Sequence, residues 1–519
     1  MLNKDSRIKN SVRNAGFSVV CQVITLICTF ITRTVFIRYL GSSYLGISGL
    51  FTNILSVLSI VDLGFDTAII YSMYKPIAEG NEKKIAALMN FFKKIYMFVG
   101  IGVGIIGICL VPFLKYLVNL STPIDNITIY YLLYLLNTVL SYLLANRVAI
   151  INADQKMYVV KQYTLVFKII QSIVQIISLV CFKNFMLYLV IEISVTFLTN
   201  LYGAFKAKRM YPFLKNNKEN IDKEEQKSIF ENVKSMFIYK IGGVILNNTD
   251  NILISVMATT EMVGYYGNYT TIILAVTNLV NLIFSSMLAS VGNLNAEASE
   301  QKREETLYKI DFMATWIYGF CGICIMVLCN GFISLMWGEQ YAITLLVPLA
   351  AVINFIIVGF LHPLRLYRET TGVFKEVKYI FIWTSILNLI LSVILGSLFT
   401  DPAMKLFGII IATAIARILT TVWFEPKKIF NLVFKKNSRK YFVRKLKDAL
   451  ILLIVFVLVW KICSFIPDST WILLILKALV CTLATNILYL LFYFRRKEFK
   501  YFWNLLVGYL NKFIKRKVA

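Results

Sequence analysis

The sequence predicts an all-α integral membrane protein with about fourteen transmembrane helices. About fourteen apolar runs of ~20 residues follow one another along the chain, and each is long enough to cross a hydrocarbon core of ~30 Å. Lys and Arg are concentrated in every second loop, which is typical of proteins that cross a membrane repeatedly. Mean hydropathy is +0.71, and 58% of the 519 residues are hydrophobic, so most of the chain faces lipid or other helices.

The individual spans follow from the apolar runs and from the polar loops between them. In chain order the predicted spans are residues 14–40, 45–73, 88–116, 126–146, 159–182, 185–205, 234–258, 262–292, 310–335, 342–362, 379–398, 405–424, 448–465 and 471–494. The Lys- and Arg-rich loops lie at the chain ends and after every second span, whereas the other loops carry almost none. Both termini are therefore predicted to be cytoplasmic.

The longest polar loop predicts a division of the chain into two halves. The predicted segments are an N-lobe of helices 1–6 (1–206), a cytoplasmic connector (207–233) and a C-lobe of helices 7–12 (234–428). A shift of 218 residues places Gly46 on Gly264 and Arg147 on Arg365, which indicates an internal repeat. We therefore predict two pseudo-symmetric six-helix lobes around a central cavity, related by an axis along the membrane normal.

Two C-terminal segments have no counterpart in this repeat. Residues 448–494 are predicted to form an added pair, helices 13 and 14. Residues 495–519 alternate aromatic and basic side chains at near-helical spacing, which predicts an amphipathic cytoplasmic helix on an anionic inner leaflet. A solvated basic tail is the alternative.

Several function classes are excluded by the composition. The net charge of +26 comes from basic loops that flank apolar runs, so it indicates membrane topology rather than nucleic-acid binding. The one histidine, His362, adjoins a proline at a helix end, and no catalytic set, metal-ligand spacing or phosphate-binding loop is present. The nine cysteines are interpreted as small core residues. We predict a membrane transporter without a cofactor or metal, and not an enzyme.

Polar residues inside a span are costly, so they indicate the functional surface. Gln22, Thr29 and Arg33 lie on one polar stripe of the first helix. Because a guanidinium stays charged and binds phosphate through two parallel hydrogen bonds, Arg33 suits an anionic substrate. The alternative is an arginine that extends to the outer headgroups.

The seventh helix, the repeat partner of the first, carries the densest polar cluster of any span. Its substrate-binding candidates are Asn248, Asp250 and Asn251. Counting from the neighbouring turns places Asp250 and Arg33 at similar depths, so we predict an Arg33–Asp250 pair or gate. Alternatively, Asp250 pairs within its own lobe or binds a cation with the adjacent asparagines.

A second group of charges is predicted in the inner half of the membrane. Asp62 and Asp66 are four residues apart and share a face of the second helix. Lys240 and Lys168 are cations at comparable depth, and Lys240 is a further candidate for binding an anionic substrate. Asp62, Asp66 and Asp250 are candidates for ion coupling or gating, while a structural ion pair is the alternative for the first two.

Short motifs in both halves resemble one family. They are Arg33-Thr-Val-Phe-Ile-Arg-Tyr-Leu-Gly-Ser-Ser-Tyr-Leu-Gly46, Asp62-Leu-Gly-Phe65 and residues 71–79 in the first half, and residues 249–255, 263–266, 289–293, 365–372 and 424–426 in the second. These segments resemble bacterial polysaccharide flippases of the Wzx type, and the resemblance covers about residues 10–430.

The resemblance implies the two-lobed fold of the multidrug/oligosaccharidyl-lipid/polysaccharide exporter superfamily. It also implies export of undecaprenyl-diphosphate-linked oligosaccharide across the bacterial plasma membrane by alternating access, for capsule or exopolysaccharide assembly. Implied partners are this glycolipid, membrane lipids, and a polysaccharide polymerase and glycosyltransferases. The added helix pair also resembles lipid II flippases, and a cation-coupled multidrug exporter is a further alternative. A membrane polymerase or glycosyltransferase is not expected, because the outer loops are short.

Overall fold

The computed structural model describes residues 4–62, 65–214 and 219–518, and its regular structure there is entirely helical. The α-helices are α1 (Lys4–Leu58), α2 (Phe65–Glu79), α3 (Glu82–Cys109), α4 (Leu114–Leu117), α5 (Ile127–Ala145), α6 (Ala149–Ala153), α7 (Met157–Phe182), α8 (Phe185–Met210), α9 (Lys223–Met257), α10 (Thr260–Glu297), α11 (Glu300–Trp337), α12 (Leu346–Thr371), α13 (Phe374–Ser397), α14 (Pro402–Leu419), α15 (Thr421–Val433), α16 (Arg439–Cys463), α17 (Trp471–Tyr493) and α18 (Lys497–Val518). Short 3-10 turns occupy Ser59–Asp62, Val111–Phe113, Asn146–Val148, Pro212–Leu214 and Glu339–Tyr341.

Within the described ranges, ten helical stretches are long and apolar enough to cross a membrane. One of them, in α1, runs from Gly16 to Leu58 and covers the first predicted span and the beginning of the second, on either side of a break at Gly41, whose φ of 83° favours glycine. Most of the predicted span 448–465 lies in α16, which is not among the ten and carries Lys447, Asp448 and Lys461. The all-α, multi-pass membrane fold is therefore confirmed, but the count of fourteen spans is not.

Local chemistry explains where neighbouring spans separate. α7 ends at Lys183, which adopts a left-handed conformation with φ 49°. The next residue, Asn184, caps α8, because its side-chain oxygen accepts a hydrogen bond from the Leu187 amide at 3.0 Å. The chain therefore reverses within two residues, at the boundary that the apolar runs predict.

The helices form two compact units. Unit 1 comprises residues 1–267 and 381–409, and unit 2 comprises residues 268–380 and 410–519. In unit 1, α1 packs against α7, α9 and α5, and α5 also packs against α3 and α8. In unit 2, α11 packs against α12, α16 and α17, and α12 packs against α15. The predicted lobe boundaries stay predictions.

Two glycines make close helix contacts in unit 1. A Cβ atom on Gly46 would overlap the carbonyl oxygen of Thr260, and one on Gly264 would lie 2.7 Å from the carbonyl oxygen of Ser42. Thr260 and Gly264 are each 218 residues after Ser42 and Gly46, so the two contacts are reciprocal. Reciprocal contacts of this kind arise where equivalent segments meet at a two-fold axis, which supports the internal repeat.

Unit 2 contains an ion pair that is almost completely buried. The guanidinium of Arg368 in α12 binds the carboxylate of Glu425 in α15, and the two side chains are 4% and 2% exposed. A second pair, Arg365–Glu369, spans 2.8 Å on the same helix, with side chains 56% and 34% exposed. The two pairs lie in very different environments.

We expect Glu425→Gln to destabilise the protein strongly, since it removes the buried carboxylate charge that binds the buried Arg368. Losing one partner of a buried pair costs about 3–5 kcal/mol. The measurement is thermal unfolding of the detergent-solubilised protein, together with its amount in membranes. Glu369→Gln is the matched control and should change stability by less than about 1 kcal/mol, because its pair is exposed. Equal effects of both variants would contradict the prediction.

Candidate functional site

The predicted polar stripe of α1 is half-buried in unit 1. Gln22, Thr29 and Arg33 all have intermediate exposure. The Thr29 hydroxyl donates to the Thr25 carbonyl at 2.8 Å, so part of its hydrogen-bonding capacity is used within the helix. Since α1 packs against α7 and α9, the stripe belongs to a helix with protein neighbours on several sides.

Arg33 is held by close packing around its guanidinium. Nη2 is shielded from solvent, and a Cβ atom on Gly267 would lie only 2.9 Å from it. Tyr188 in α8 interacts electrostatically with Arg33, and its ring packs edge-on against Phe36, with 5.0 Å between centroids. Gly267 and Tyr188 therefore fix the position of the cation.

The sequence analysis gave no role to most of the polar side chains that interact with one another around Arg33 in unit 1. Glu192 interacts electrostatically with Lys168, Tyr134 and Tyr188. The hydroxyl groups of Tyr134 and Ser48 are 2.5 Å apart. The sequence does contain a signal for this group of residues, because Tyr188 and Glu192 are four residues apart and so share a face of α8. We call Arg33, Tyr134, Lys168, Tyr188 and Glu192 the α8 polar cluster.

The polar cluster of α9 is largely bonded to its own helix. The side-chain amides of Asn247 and Asn248 donate to the carbonyls of residues 243 and 244, at 2.7 and 2.9 Å. Oδ1 of Asp250 and Oδ1 of Asn251 are both shielded from solvent. Helices α1 and α9 pack against each other, as the proposed Arg33–Asp250 gate requires. The direct pairing itself stays a prediction.

The predicted inner charges are only partly described. Lys240 in α9 is half-buried. Asp62 ends the turn Ser59–Asp62 and Asp66 lies in the first turn of α2, but both side chains lie outside the described part of the chain. Among the residues that the structure describes, no cluster of three His, Cys, Asp or Glu residues could hold a metal ion. Ion coupling through Asp62 or Asp66 stays a prediction.

A group of hydrogen bonds connects three segments of unit 1. The Asn119 amide donates to Oγ1 of Thr260 at 2.9 Å, and the Thr260 amide donates to the Asn119 carbonyl at 2.7 Å. Oε1 of Glu261 accepts from the Ser121 amide at 2.9 Å and from the Ser43 hydroxyl at 3.4 Å. We call residues 42–46, 117–121 and 258–264 the loop clamp. It joins three of the loops that carry almost no Lys or Arg.

Unit 2 contains an apolar cavity of about 800 Å³. Its walls come from α11, α12, the end of α14, α15 and α16, and they are almost entirely aliphatic or aromatic. Representative lining residues are Ile353, Ile356, Phe360, Leu453 and Phe456. Helix α16 belongs to the predicted added pair, so that pair contributes a wall of this cavity. Such a cavity suits a hydrocarbon chain.

Comparison with known proteins decides the family. The family described as polysaccharide biosynthesis protein matches residues 11–290. The chain belongs to this family. No curated protein sequence is significantly similar to it. The match includes Arg33, Asp250 and the loop clamp, whereas the whole apolar cavity and helices α11 to α18 of this polysaccharide biosynthesis protein lie beyond it.

Solved structures show the fold of this family member. It resembles the lipid II flippase MurJ in an inward closed conformation, with a TM-score of 0.61 and 15% identity over 94% of this chain and 99% of that one. It also resembles an inward-facing multidrug resistance transporter of the MATE family, from the MOP superfamily, with a TM-score of 0.59 and 12% identity over 79% and 97% of the two chains. The fold is therefore that of MurJ and MATE proteins, which are a flippase and transporters, not enzymes.

Proposed function

We propose that this polysaccharide biosynthesis protein is an alternating-access flippase for undecaprenyl-diphosphate-linked oligosaccharide. The observation that carries the proposal is the half-buried Arg33, whose guanidinium is fixed between Gly267 and Tyr188 inside a membrane-spanning unit. An ionisable side chain inside a membrane-spanning segment is costly, and such residues commonly mark a substrate or ion pathway. A diphosphate offers the geometry that a guanidinium binds through paired hydrogen bonds.

The other polar candidates would serve the sugars and the gate. We assign Gln22, Thr29, Asn248 and Asn251 to the hydrophilic oligosaccharide, because amides and hydroxyls can both donate and accept hydrogen bonds. Lys240 offers a second cation for the diphosphate, and Asp250 is the proposed gate partner of Arg33. The apolar cavity of unit 2 would hold part of the polyprenyl chain, since its walls are hydrocarbon.

The membrane potential can contribute to the direction of transport. Moving one elementary charge through 100 mV is worth about 2.3 kcal/mol, so expelling a diphosphate from an inside-negative compartment is favourable. Positive charges of the protein that move with the substrate reduce this gain.

We place the protein in the bacterial plasma membrane with both termini cytoplasmic, because the basic loops alternate. A polymerase and glycosyltransferases would act on the same lipid-linked sugars.

The test is the sidedness of the lipid-linked oligosaccharide in cells that lack this protein. We expect the glycolipid to accumulate on the inner face, where an external probe cannot reach it, and expression of the wild-type chain should reverse the accumulation. Normal delivery to the outer face in the deletion strain, with no other exporter present, would reject the proposal. Total glycolipid must be measured in parallel to exclude a synthesis defect.

A lipid II flippase is the second candidate. It is favoured by the similarity to MurJ, which extends over 94% of this chain. Complementation separates the two functions: rescue of cells depleted of their lipid II flippase would favour lipid II, and rescue of surface polymer alone would favour the oligosaccharide. A cation-coupled drug exporter would instead change drug susceptibility without any effect on surface polymer.

The Arg33–Asp250 gate predicts rescue by charge exchange. Arg33→Asp and Asp250→Arg should each abolish polymer export, and the double variant should recover part of it if the two side chains pair directly. A double-mutant cycle measures this coupling. Recovery is limited because the exchange also moves the cation away from Gly267 and Tyr188. A double variant that exports no more polymer than either single variant would contradict direct pairing.

A further inference from the structure

The C-terminal helix α18 is attached to unit 2 by its first two turns. Phe499 stacks on Trp316 and Phe502 stacks on Phe312, with ring centroids 6.1 and 6.3 Å apart. The Tyr501 ring lies 4.0 Å from Nζ of Lys309. These contacts fix the start of α18 against α11. Phe499 and Phe502 of its apolar face therefore pack inside the protein, whereas the exposed apolar side chains that follow them need another partner.

The single acid of the tail is neutralised within the protein. Oε1 of Glu498 accepts a hydrogen bond from Nη1 of Arg444 at 3.0 Å. Burial raises the pKa of Glu498, but the hydrogen bond and the positive charge of Arg444 outweigh it, so the pKa lies below its usual value. Arg496 binds Asp448. Residues 495–519 contain eight Lys or Arg and one acid, so the tail keeps a strong positive charge.

The turn after the attachment exposes apolar surface. Trp503 is 52% and Leu506 is 54% exposed, and Leu505 and Val507 are also exposed. Lys497 and Lys500 are exposed on the same helix. Only residues 494–496 separate α18 from α17, one of the candidate membrane spans, so α18 must begin next to the membrane surface. Exposed aromatic and aliphatic groups beside lysines, held at this place, match the chemistry of a lipid headgroup layer.

We propose that α18 is a binding surface for anionic phospholipids. Trp503 and Leu506 enter the boundary between headgroups and acyl chains, and the exposed Arg495, Lys497 and Lys500 bind the phosphates. This site is independent of the proposed transport site, since it lies at the end of unit 2 and contains none of the substrate-binding candidates.

Quenching by brominated lipids tests the proposal on the full-length protein in nanodiscs. The emission of Trp503 is obtained as the difference between wild type and Trp503→Phe, in discs that contain either brominated phosphatidylglycerol or brominated phosphatidylcholine at the same fraction. We expect stronger quenching by the brominated phosphatidylglycerol. The preference should disappear in salt of about 1 M, where the Debye length is about 3 Å.

Charge removal supplies the matched comparison. Replacing the exposed Arg495, Lys497 and Lys500 with alanine should abolish the preference for phosphatidylglycerol. The control replaces three exposed basic residues elsewhere in unit 2, Lys427, Lys428 and Arg439, and should retain it. Equal quenching by both lipids would overturn the anionic specificity. Absence of quenching by either lipid would overturn membrane contact and would indicate that protein or water covers Trp503.

Discussion

Arg33→Ala is expected to abolish surface polymer while the amount of protein in the membrane stays normal. The guanidinium is the fixed cation of the proposed diphosphate site, and its Nη2 is shielded from solvent. A hydrogen bond to a charged group is worth about 1.5–3 kcal/mol, so the loss of two corresponds to at least about a hundredfold in affinity. The measurement is polymer yield in a deletion strain that expresses the variant, with the protein quantified in isolated membranes.

Two variants define what Arg33 contributes. Arg38→Ala is the control, because Arg38 lies on the same helix but is exposed, and polymer yield should not change. Arg33→Lys keeps the charge without the paired hydrogen bonds and should give an intermediate yield. Normal polymer in Arg33→Ala cells would remove this residue from the mechanism. A similar loss in Arg38→Ala cells would show that the effect is not specific to the site.

Gly46→Ala and Gly264→Ala are expected to open the loop clamp and to stop export. Each new methyl group would meet backbone atoms of the opposite segment, Thr260 in one case and Ser42 in the other, and backbone cannot rotate away. In a helix, Gly→Ala is normally stabilising by about 1 kcal/mol, so a loss identifies the close contact as the cause. Because the contacts are reciprocal, both substitutions should act alike.

Accessibility of a buried position measures the opening. Val263 is 1% exposed, so a Val263→Cys thiol should not react with a membrane-impermeant maleimide added outside. Adding Gly46→Ala should make it reactive, after subtraction of labelling at the native cysteines. The control is Gly102→Ala in α3, where a Cβ atom meets nothing within 4 Å, and labelling should stay low. Unchanged labelling and normal export in Gly46→Ala cells would show that the clamp tolerates separation.

The fold could be predicted well from the sequence because a membrane span needs hydrophobic residues along its length, so each span appears as an apolar run. The break at Gly41 and the turn at Lys183 fall where apolar runs end, and the 218-residue repeat is visible in single glycines. The span count of fourteen was not confirmed where charges lie within helices. Asp448 in α16 stands at the start of an apolar run, yet it is fully buried and bound to Arg496, a partner that only tertiary packing brings close.

The site was predicted in part for a similar reason. Arg33 and Asp250 stand out because an ionisable residue within a span is costly wherever it lies. Tyr188 and Gly267 do not, since tyrosine and glycine are common in membrane helices, and only the fold places them beside Arg33. Glu192 also lies within a predicted span, but the sequence gives it no role, because its interactions with Lys168 and Tyr134 join three different helices.

The loop clamp shows what covalent fusion of two copies permits. Ser43 and Glu261 are 218 residues apart, so they are equivalent positions of the repeat, and they contact each other. In a homodimer, residues that meet their own copies at the symmetry axis must be identical, which would set two carboxylates or two hydroxyls against each other. Two adjacent carboxylates repel, and one of them must remain protonated. In a single chain the two repeats can differ in sequence, so Glu261 supplies the acceptor and Ser43 supplies the donor.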